Sequence, residues 1–287
     1  MSGPGEKSLR FGPTNGRCAV NHPDWAPKDI DVETASAARL YDFFLGGSYN
    51  FEVDRELGRK VAAVAPGVFE YTRLNRAFLR RAVRHLGEQG IDQFLDIGSG
   101  IPAAGNVHEI AQKANPDARV VYVDNEPVAV AHSELLLEGN PNAVVIEADL
   151  RDPDSILRHE KTRRLLDFRR PIGLLTVAVY HFVPESDDPR ALAAAYRDAL
   201  PSGSYLALSH GTEESLGEQM RQIIDLYKNS QNPVTARTRA QVTALLDGFE
   251  LVEPGVVFTP QWRPESPEDV GENPEESSVY AAVGRKP

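Results

Sequence analysis

Apolar residues follow two different periods along the chain. Through residues 32–86 they recur at helical spacing, and breaks at Gly46-Gly47 and Pro66-Gly67 divide this stretch into three predicted helices. On the third, Tyr71, Leu74, Phe78 and Ala82 mark a face that packs inward. Arg73, Arg76, Arg80 and Arg84 form a basic stripe beside it, which reads first as a solvated face. After Gly90 short β-branched runs take over, at 93–97, 119–123, 143–147, 172–180 and 204–208, with helical stretches between them. Such alternation predicts a parallel sheet covered by helices on both sides, because right-handed crossovers deposit helices on each face. The fold class is α/β. Two later runs, 249–257 and 278–283, follow a helix near 239–246 and suit a terminal antiparallel pair.

The division expected is a mobile tail over 1–31 with a docked portion near Trp25, a helical cap over 32–90 and a core over 91–287. At 287 residues, with 41% hydrophobic and 25% charged, the chain has the means to bury a sizeable core. A formal net charge of −11 repels a phosphate backbone and points to a small-molecule partner rather than nucleic acid. The single cysteine, Cys18, leaves no intramolecular disulfide and no cysteine-based metal cluster, in keeping with a reducing cytoplasm. No metal is expected. No apolar run approaches a signal peptide at the start or a membrane span later. The acidic stretch 264–276 reads as an exposed loop.

Chemistry concentrates where the first predicted strand runs into Asp96-Ile97-Gly98-Ser99-Gly100. Its glycines let backbone approach a ligand that side chains would exclude. A helix is expected from Pro102, since proline suits a first helical position. The third glycine of the dinucleotide fingerprint is missing, and that disfavours a nicotinamide cofactor. The second strand ends in Asp124, where a carboxylate can accept from both hydroxyls of a ribose; the alternative is a helix cap before Pro127. The third ends in Ala148-Asp149-Leu150, an acid for an adenine amine and an apolar cover for the ring. Three acidic strand ends in successive units favour an adenosine ligand, and Asn125 joins the expected set.

These segments, Asp96 to Gly100, Val123-Asp124 and Ala148-Asp149-Leu150, resemble the motifs of class I S-adenosylmethionine (SAM) dependent methyltransferases over about residues 90–287. Leu200-Pro201-Ser202-Gly203-Ser204-Tyr205-Leu206 is similar to their "L-x-P-G-G-x-L" turn, with Ser202 in place of the first glycine. Together with Leu40-Tyr41-Asp42-Phe43-Phe44-Leu45-Gly46-Gly47, Asn75-Arg76-Ala77-Phe78-Leu79-Arg80 and Gly105-Asn106-Val107-His108-Glu109, the whole chain resembles an uncharacterised bacterial family of such enzymes of unknown substrate. The resemblance implies SAM as cofactor and a Rossmann-like, seven-stranded, mostly parallel sheet of order 3-2-1-4-5-7-6. It leaves the acceptor open.

Methyl transfer depends on alignment, exclusion of water and, for a protic nucleophile, a base. His181, expected just past the fourth strand, is the candidate base with an ordinary pKa near 6.5, and His210 the second; the alternative for His181 is a ring satisfied by backbone groups. Asn75 or Arg76 is expected at the methionine carboxylate, Arg76 for its bidentate geometry. Tyr41, Gly46, Gly47 and Asn50 are candidates for a lid, the glycines serving a hinge or a close approach. The Asn/Asp-Pro-Pro-Tyr sequence of base-modifying methyltransferases is absent, since Ala178-Val179-Tyr180-His181 stands there. The expected acceptor is therefore a small molecule with an oxygen nucleophile preferred, its specificity shaped by the cap and by the loop around Trp262. The rivals are a non-catalytic module binding SAM or S-adenosylhomocysteine (SAH) and a nicotinamide oxidoreductase.

Overall fold

A computed structural model describes residue 27 and residues 30–287. Most of the expected 1–31 tail, Trp25 included, lies outside the described residues. The helical stretch forms α1 (Ala37–Phe44), α2 (Glu52–Val64) and α3 (Val68–Glu88), divided at the glycines and at Pro66-Gly67. Ser36 caps α1 through its side chain, and the Asp54 carboxylate closes the first turn of α2 by accepting from Phe51 N–H at 2.8 Å. The Gly46-Gly47 pair serves a close approach: Gly47 N–H donates to Asp42 O at 2.8 Å, and a Cβ there would sit 1.9 Å from Asp42 Oδ1. Asp42 in turn accepts from Tyr49 N–H and Asn50 Nδ2, which fixes the turn.

Eight strands follow the expected alternation: β1 (Gln93–Ile97), β2 (Arg119–Asp124), β3 (Ala143–Glu147), β4 (Gly173–Val177), β5 (Tyr205–Gly211), β6 (Glu250–Leu251), β7 (Val257–Phe258) and β8 (Val279–Arg285). They pair in the order β3-β2-β1-β4-β5-β8-β6, with β7 also on β8. The first five are parallel and β8 runs antiparallel to β5. This is the expected order with one strand divided. The run 249–257 breaks into β6 and β7 because Pro254 has no N–H to donate and Gly255 turns at φ +83°.

The crossovers supply α4 (Val107–Ala114), α5 (Pro127–Leu136), α6 (Pro153–Leu157), α7 (Glu160–Leu165), α8 (Pro189–Ala199), α9 (Gly217–Tyr227) and α10 (Arg239–Ala244). Period-two alternation sends Leu95, Val121, Val123, Leu174 and Leu206 to one face, against Ile156, Leu165, Tyr196 and Leu245. Phe94, Val120, Tyr122, Leu175 and Ala207 go to the other, against Phe78 and Leu86 of α3, Val107 of α4 and Val130 of α5. The C-terminal half of α3 is thus part of the sheet's cover, while its N-terminal half reaches past the strand ends.

Over those ends α1, α2, α9 and the start of α3 bury Leu40, Phe44, Val61 and Tyr227 in a separate small core. Beneath it Arg39, fully buried, pairs with Asp54 at 2.9 Å and Glu126 at 3.1 Å and donates to the carbonyls of Asp31 and Thr34. A buried guanidinium is tolerable only when its donors are satisfied in this way, so the network fixes the register of α1 and α2 against the end of β2. No helix among the described residues is long and apolar enough to cross a membrane.

Two local expectations are corrected. The helix after the glycine turn begins at Val107, not Pro102, because Asn106 and Glu109 form a reciprocal capping box and Gly105 takes φ +78°. Strand β4 stops at Val177, not at residue 180: Ala178 adopts φ +59°, and Tyr180–Phe182 close a 3₁₀ turn. A left-handed alanine is uncommon and is held here by Ser209, whose carbonyl and hydroxyl both accept from Ala178 N–H, at 3.2 and 2.9 Å.

Candidate functional site

A cavity of about 290 Å³ opens beyond the carboxyl ends of β1 to β5 and beneath the helical roof. Asn75, Arg76, Asp96, Ile97, Gly98, Ser99, Gly100, Asp124, Asn125, Asp149, Leu150 and His181 all line it, so the fold brings together every residue expected to bind cofactor or catalyse except His210; of the lid candidates Tyr41 lines it, and Gly46, Gly47 and Asn50 do not.

The glycine turn is shaped from below. Gly98 takes φ +72° and packs so closely on Val179 that a Cβ would lie 2.4 Å from its side chain. Gly100 takes φ +68° with open space where a Cβ would be. Asp124 holds the turn, its Oδ2 accepting from Gly100 N–H at 2.7 Å and its Oδ1 from Glu126 N–H at 2.9 Å. Asp124 lines the cavity and organises the turn before α5, but the cap expected of it is corrected: the N-cap position falls to Glu126. Burial raises its pKa to about 6 against the pull of those N–H groups.

Asp96 is 5% exposed, and burial raises it to about 7, while the Arg76 guanidinium pulls it down and Asp124 pushes it up. Arg76 comes from α3, donates to Gly105 O at 3.2 Å and stands beside Asp96 on the cavity wall. A carboxylate and a guanidinium side by side match the ammonium and carboxylate of an amino-acid zwitterion. Asn75 is engaged elsewhere. Its Nδ2 donates to Tyr41 Oη at 2.9 Å and its Oδ1 accepts from Ser209 Oγ at 2.6 Å, so it ties α1 to α3 and to the end of β5.

Further along, Asn125 Nδ2 donates to Asp149 Oδ2 at 3.3 Å, and Asp149 is gripped by Arg151 through both oxygens, at 2.9 and 2.6 Å. The Arg151 guanidinium holds Asp149 below the usual carboxylate range. Leu150 is buried beside it, its carbonyl accepting from Tyr196 Oη at 2.7 Å.

The turn after Ala178 brings His181 to the cavity wall, with Nδ1 lacking any hydrogen-bond partner. Burial, with the charge of Arg237 added, lowers its pKa to about 4, so the expectation of a value near 6.5 is corrected. His210 lies behind the wall. It is fully buried, its Nδ1 donates to Gly211 O at 2.8 Å and its Nε2 accepts from Arg237 Nη1 at 2.8 Å, so neither nitrogen is free to act as a base. Arg237, missed by the sequence reading, is 2% exposed and also donates to Glu185 Oε1, Tyr180 O and Val183 O at 2.8 to 2.9 Å. It fastens the segment that carries His181 on both sides.

Much of the rest of the wall was missed, above all Met220, Ile223 and Tyr227 of α9, Val61 of α2, and Ser277 with Ser278. For α9 a signal existed: Leu216, Met220, Ile223 and Tyr227 recur at helical spacing, opposite Glu218, Arg221, Gln222 and Asp225. Trp262, expected to shape the acceptor site, is wholly buried on the far side of α3, with its ring centroid 5.4 Å from Phe78 and 5.8 Å from His85. Its apolar bulk serves the core.

A sheet in this order, with acids at the ends of its first three strands around a glycine turn, is the Rossmann-like architecture of class I SAM-dependent methyltransferases. The chain belongs to the S-adenosyl methyltransferase family whose model matches residues 23–287. It is similar to a DUF574 family protein from Streptomyces avermitilis MA-4680, with 41% identity and a TM-score of 0.86 over 90% of this chain and 99% of that one. It is equally similar to a protein from Thermobifida fusca YX described only provisionally as a methyltransferase, with 42% identity and a TM-score of 0.86 over 92% and 99%. No curated protein matches the sequence. The cofactor is S-adenosylmethionine. The site suits it: Ser99 Oγ is buried without a partner, Gly100 leaves room for backbone contact, and the start of α4 at Val107 puts no helix N-terminus at the turn for a pyrophosphate.

Proposed function

We propose that the protein transfers a methyl group from SAM to a hydroxyl of a small molecule. The observation that carries this reading is one cavity joining the acid-tipped strand ends to a helical chamber, with His181 on the wall between them. When bound, SAM supplies a methyl group on a positively charged sulfur. Asp124 would receive the ribose hydroxyls, Asn125 and Asp149 the adenine edge with Leu150 against the ring, and Arg76 with Asp96 the methionine zwitterion. Ile97, Gly98, Ser99 and Gly100 form the floor. Asn75 acts as a positioning residue, holding Tyr41 and Ser209. The cap, with Tyr41, Gly46, Gly47 and Asn50 in and beside α1, serves to exclude water.

His181 is the candidate proton acceptor, its ring on the cavity wall. Its low pKa keeps the ring neutral at physiological pH, so a lone pair is always present. A weak base suffices, because a hydroxyl oxygen gains positive charge as it is methylated and its proton becomes strongly acidic. The net charge of −11 and the cavity's closure by helices support a small acceptor over nucleic acid. The test is His181→Gln assayed against hydroxylated aromatic acceptors: SAH affinity stays constant while turnover falls about a hundredfold. Wild-type turnover carrying an acid limb near pH 4 supports His181, whereas a limb near 6.5 that persists in the variant assigns the base elsewhere. A wild type that binds SAH and methylates no acceptor favours the non-catalytic binding module.

A further inference from the structure

The cavity's charges are unevenly shared. Every charged side chain on its wall, among the described residues, stands at the strand ends or turns toward them: Arg76, Asp96, Asp124, Glu126, Asp149 and Arg151. Glu126 is paired with Arg39 and Asp149 with Arg151. The helical half is built from neutral groups such as Phe44, Val61, Val68, Met220, Ile223 and Tyr227. An ion placed there would lose its hydration with no counter-ion in reach, at a cost of several kcal/mol or more.

The same chamber is not uniformly apolar. Ser277 Oγ and His181 Nδ1 are both buried without a hydrogen-bond partner, and both residues stand on its wall. Neither atom is reached by solvent, so a ligand hydroxyl pairs with them only after a small turn of the side chain, and it then satisfies a polar group that the protein leaves without a partner. Tyr227, 8% exposed, adds a phenol kept firmly protonated by burial. The aromatic rings of Tyr41, Phe44, Tyr71, Phe182 and Tyr227, with the thioether of Met220, offer faces and edges suited to another ring system. Two charges outside the wall act on the chamber's residues: Glu276, which is exposed, on Tyr71, and buried Arg237, itself paired with Glu185, on His181.

Resting on the methyl-transfer reading above, we propose that the acceptor is an uncharged, largely apolar ring compound bearing a hydroxyl, held between α1, α3 and α9 with its polar group toward His181 and Ser277. Phosphorylated, carboxylated and cationic small molecules are excluded as acceptors.

The test uses the full chain saturated with SAH and three probes of one skeleton: 2-naphthol, 2-naphthoate and 2-naphthylmethylammonium. SAH affinity is measured first, and its absence would count against the methyl-transfer reading rather than against this one. Given SAH binding, 2-naphthol should bind about tenfold or more tightly than either ion. Met220→Lys should weaken 2-naphthol and strengthen 2-naphthoate, and Ile223→Trp should block 2-naphthol by filling the chamber. Both variants should keep SAH affinity within about twofold, which also reports that they fold. Equal binding of the three probes, or no binding of 2-naphthol to the SAH complex, overturns the proposal.

Discussion

The strand ends and the helical chamber share one cavity and are built on opposite terms. At the strand ends, short-chain acids sit on backbone turns, two of them forced up to about 7 and about 6 by burial. In the chamber, neutral side chains gather from segments as far apart as Tyr41 and Ser278. The first region gives up stability to keep carboxylates dry, and the second buries apolar surface and gains from it. A protein that must hold a polar cofactor with constant geometry and a separate acceptor of its own choosing has reason to divide the work in this way.

The largest effect that sharpens this contrast falls on the boundary. Arg237→Met strips four acceptors of a buried guanidinium and should cost about 3–5 kcal/mol, or on the order of 10 °C in melting temperature. SAH affinity of the folded fraction should stay unchanged, because Arg237 supports the His181 segment and not the glycine turn. A loss under about 2 °C would show the clamp to be idle.

Next comes Asp124→Ala, which frees the Gly100 and Glu126 N–H groups and should weaken SAH by about a hundredfold in calorimetry. If instead only the melting temperature moves, Asp124 organises the turn and does no more.

A smaller and opposite pair of effects is expected for Asp96→Asn. Below about pH 4 the carboxyl is protonated in folded and unfolded chains alike. As pH rises the unfolded chain gives up the proton first, since the folded value is about 7, so the wild type loses stability through this window and carries the full cost above it. The variant should therefore melt higher than wild type at pH 8 and show a flatter profile between pH 5 and 8. It should still bind SAH about tenfold more weakly. The smallest effect belongs to the exposed stripe: Arg73→Ala should change stability by less than about 0.5 kcal/mol, its partner Glu70 being equally exposed.

The two regions also differ in how far the sequence announces them. Asp96 to Gly100, Asp124 and Asp149 are legible because each sits at the end of a β-branched run, and the parallel sheet puts all strand ends on one edge. The alternating pattern gave a parallel sheet between helices, and the sheet order followed from the family resemblance alone. What was not legible is competition among local signals. Pro102 looked like a helix start, but the Asn106 and Glu109 capping box won and set the start five residues on, at Val107. The run 172–180 read as continuous strand because nothing in Ala178 marks a left-handed residue; its conformation depends on Ser209, 31 residues away on the neighbouring strand. The loop around Trp262 was expected to shape specificity, and Trp262 went to the core. The chamber was least visible of all, since Met220, Tyr227 and Ser277 carry no motif and acquire a role only through tertiary packing.

The most direct measurement of the central claim is SAH binding by titration calorimetry at pH 6.5 in two buffers of different ionisation heat. If Asp96 is held near 7 in the free protein and meets the cofactor's ammonium as a carboxylate, binding should release most of one proton, and the apparent enthalpies should differ accordingly. In Asp96→Asn only a smaller release, from Asp124, should remain. Identical heats in the two buffers, or a wild-type release that survives undiminished in Asp96→Asn, would contradict the account.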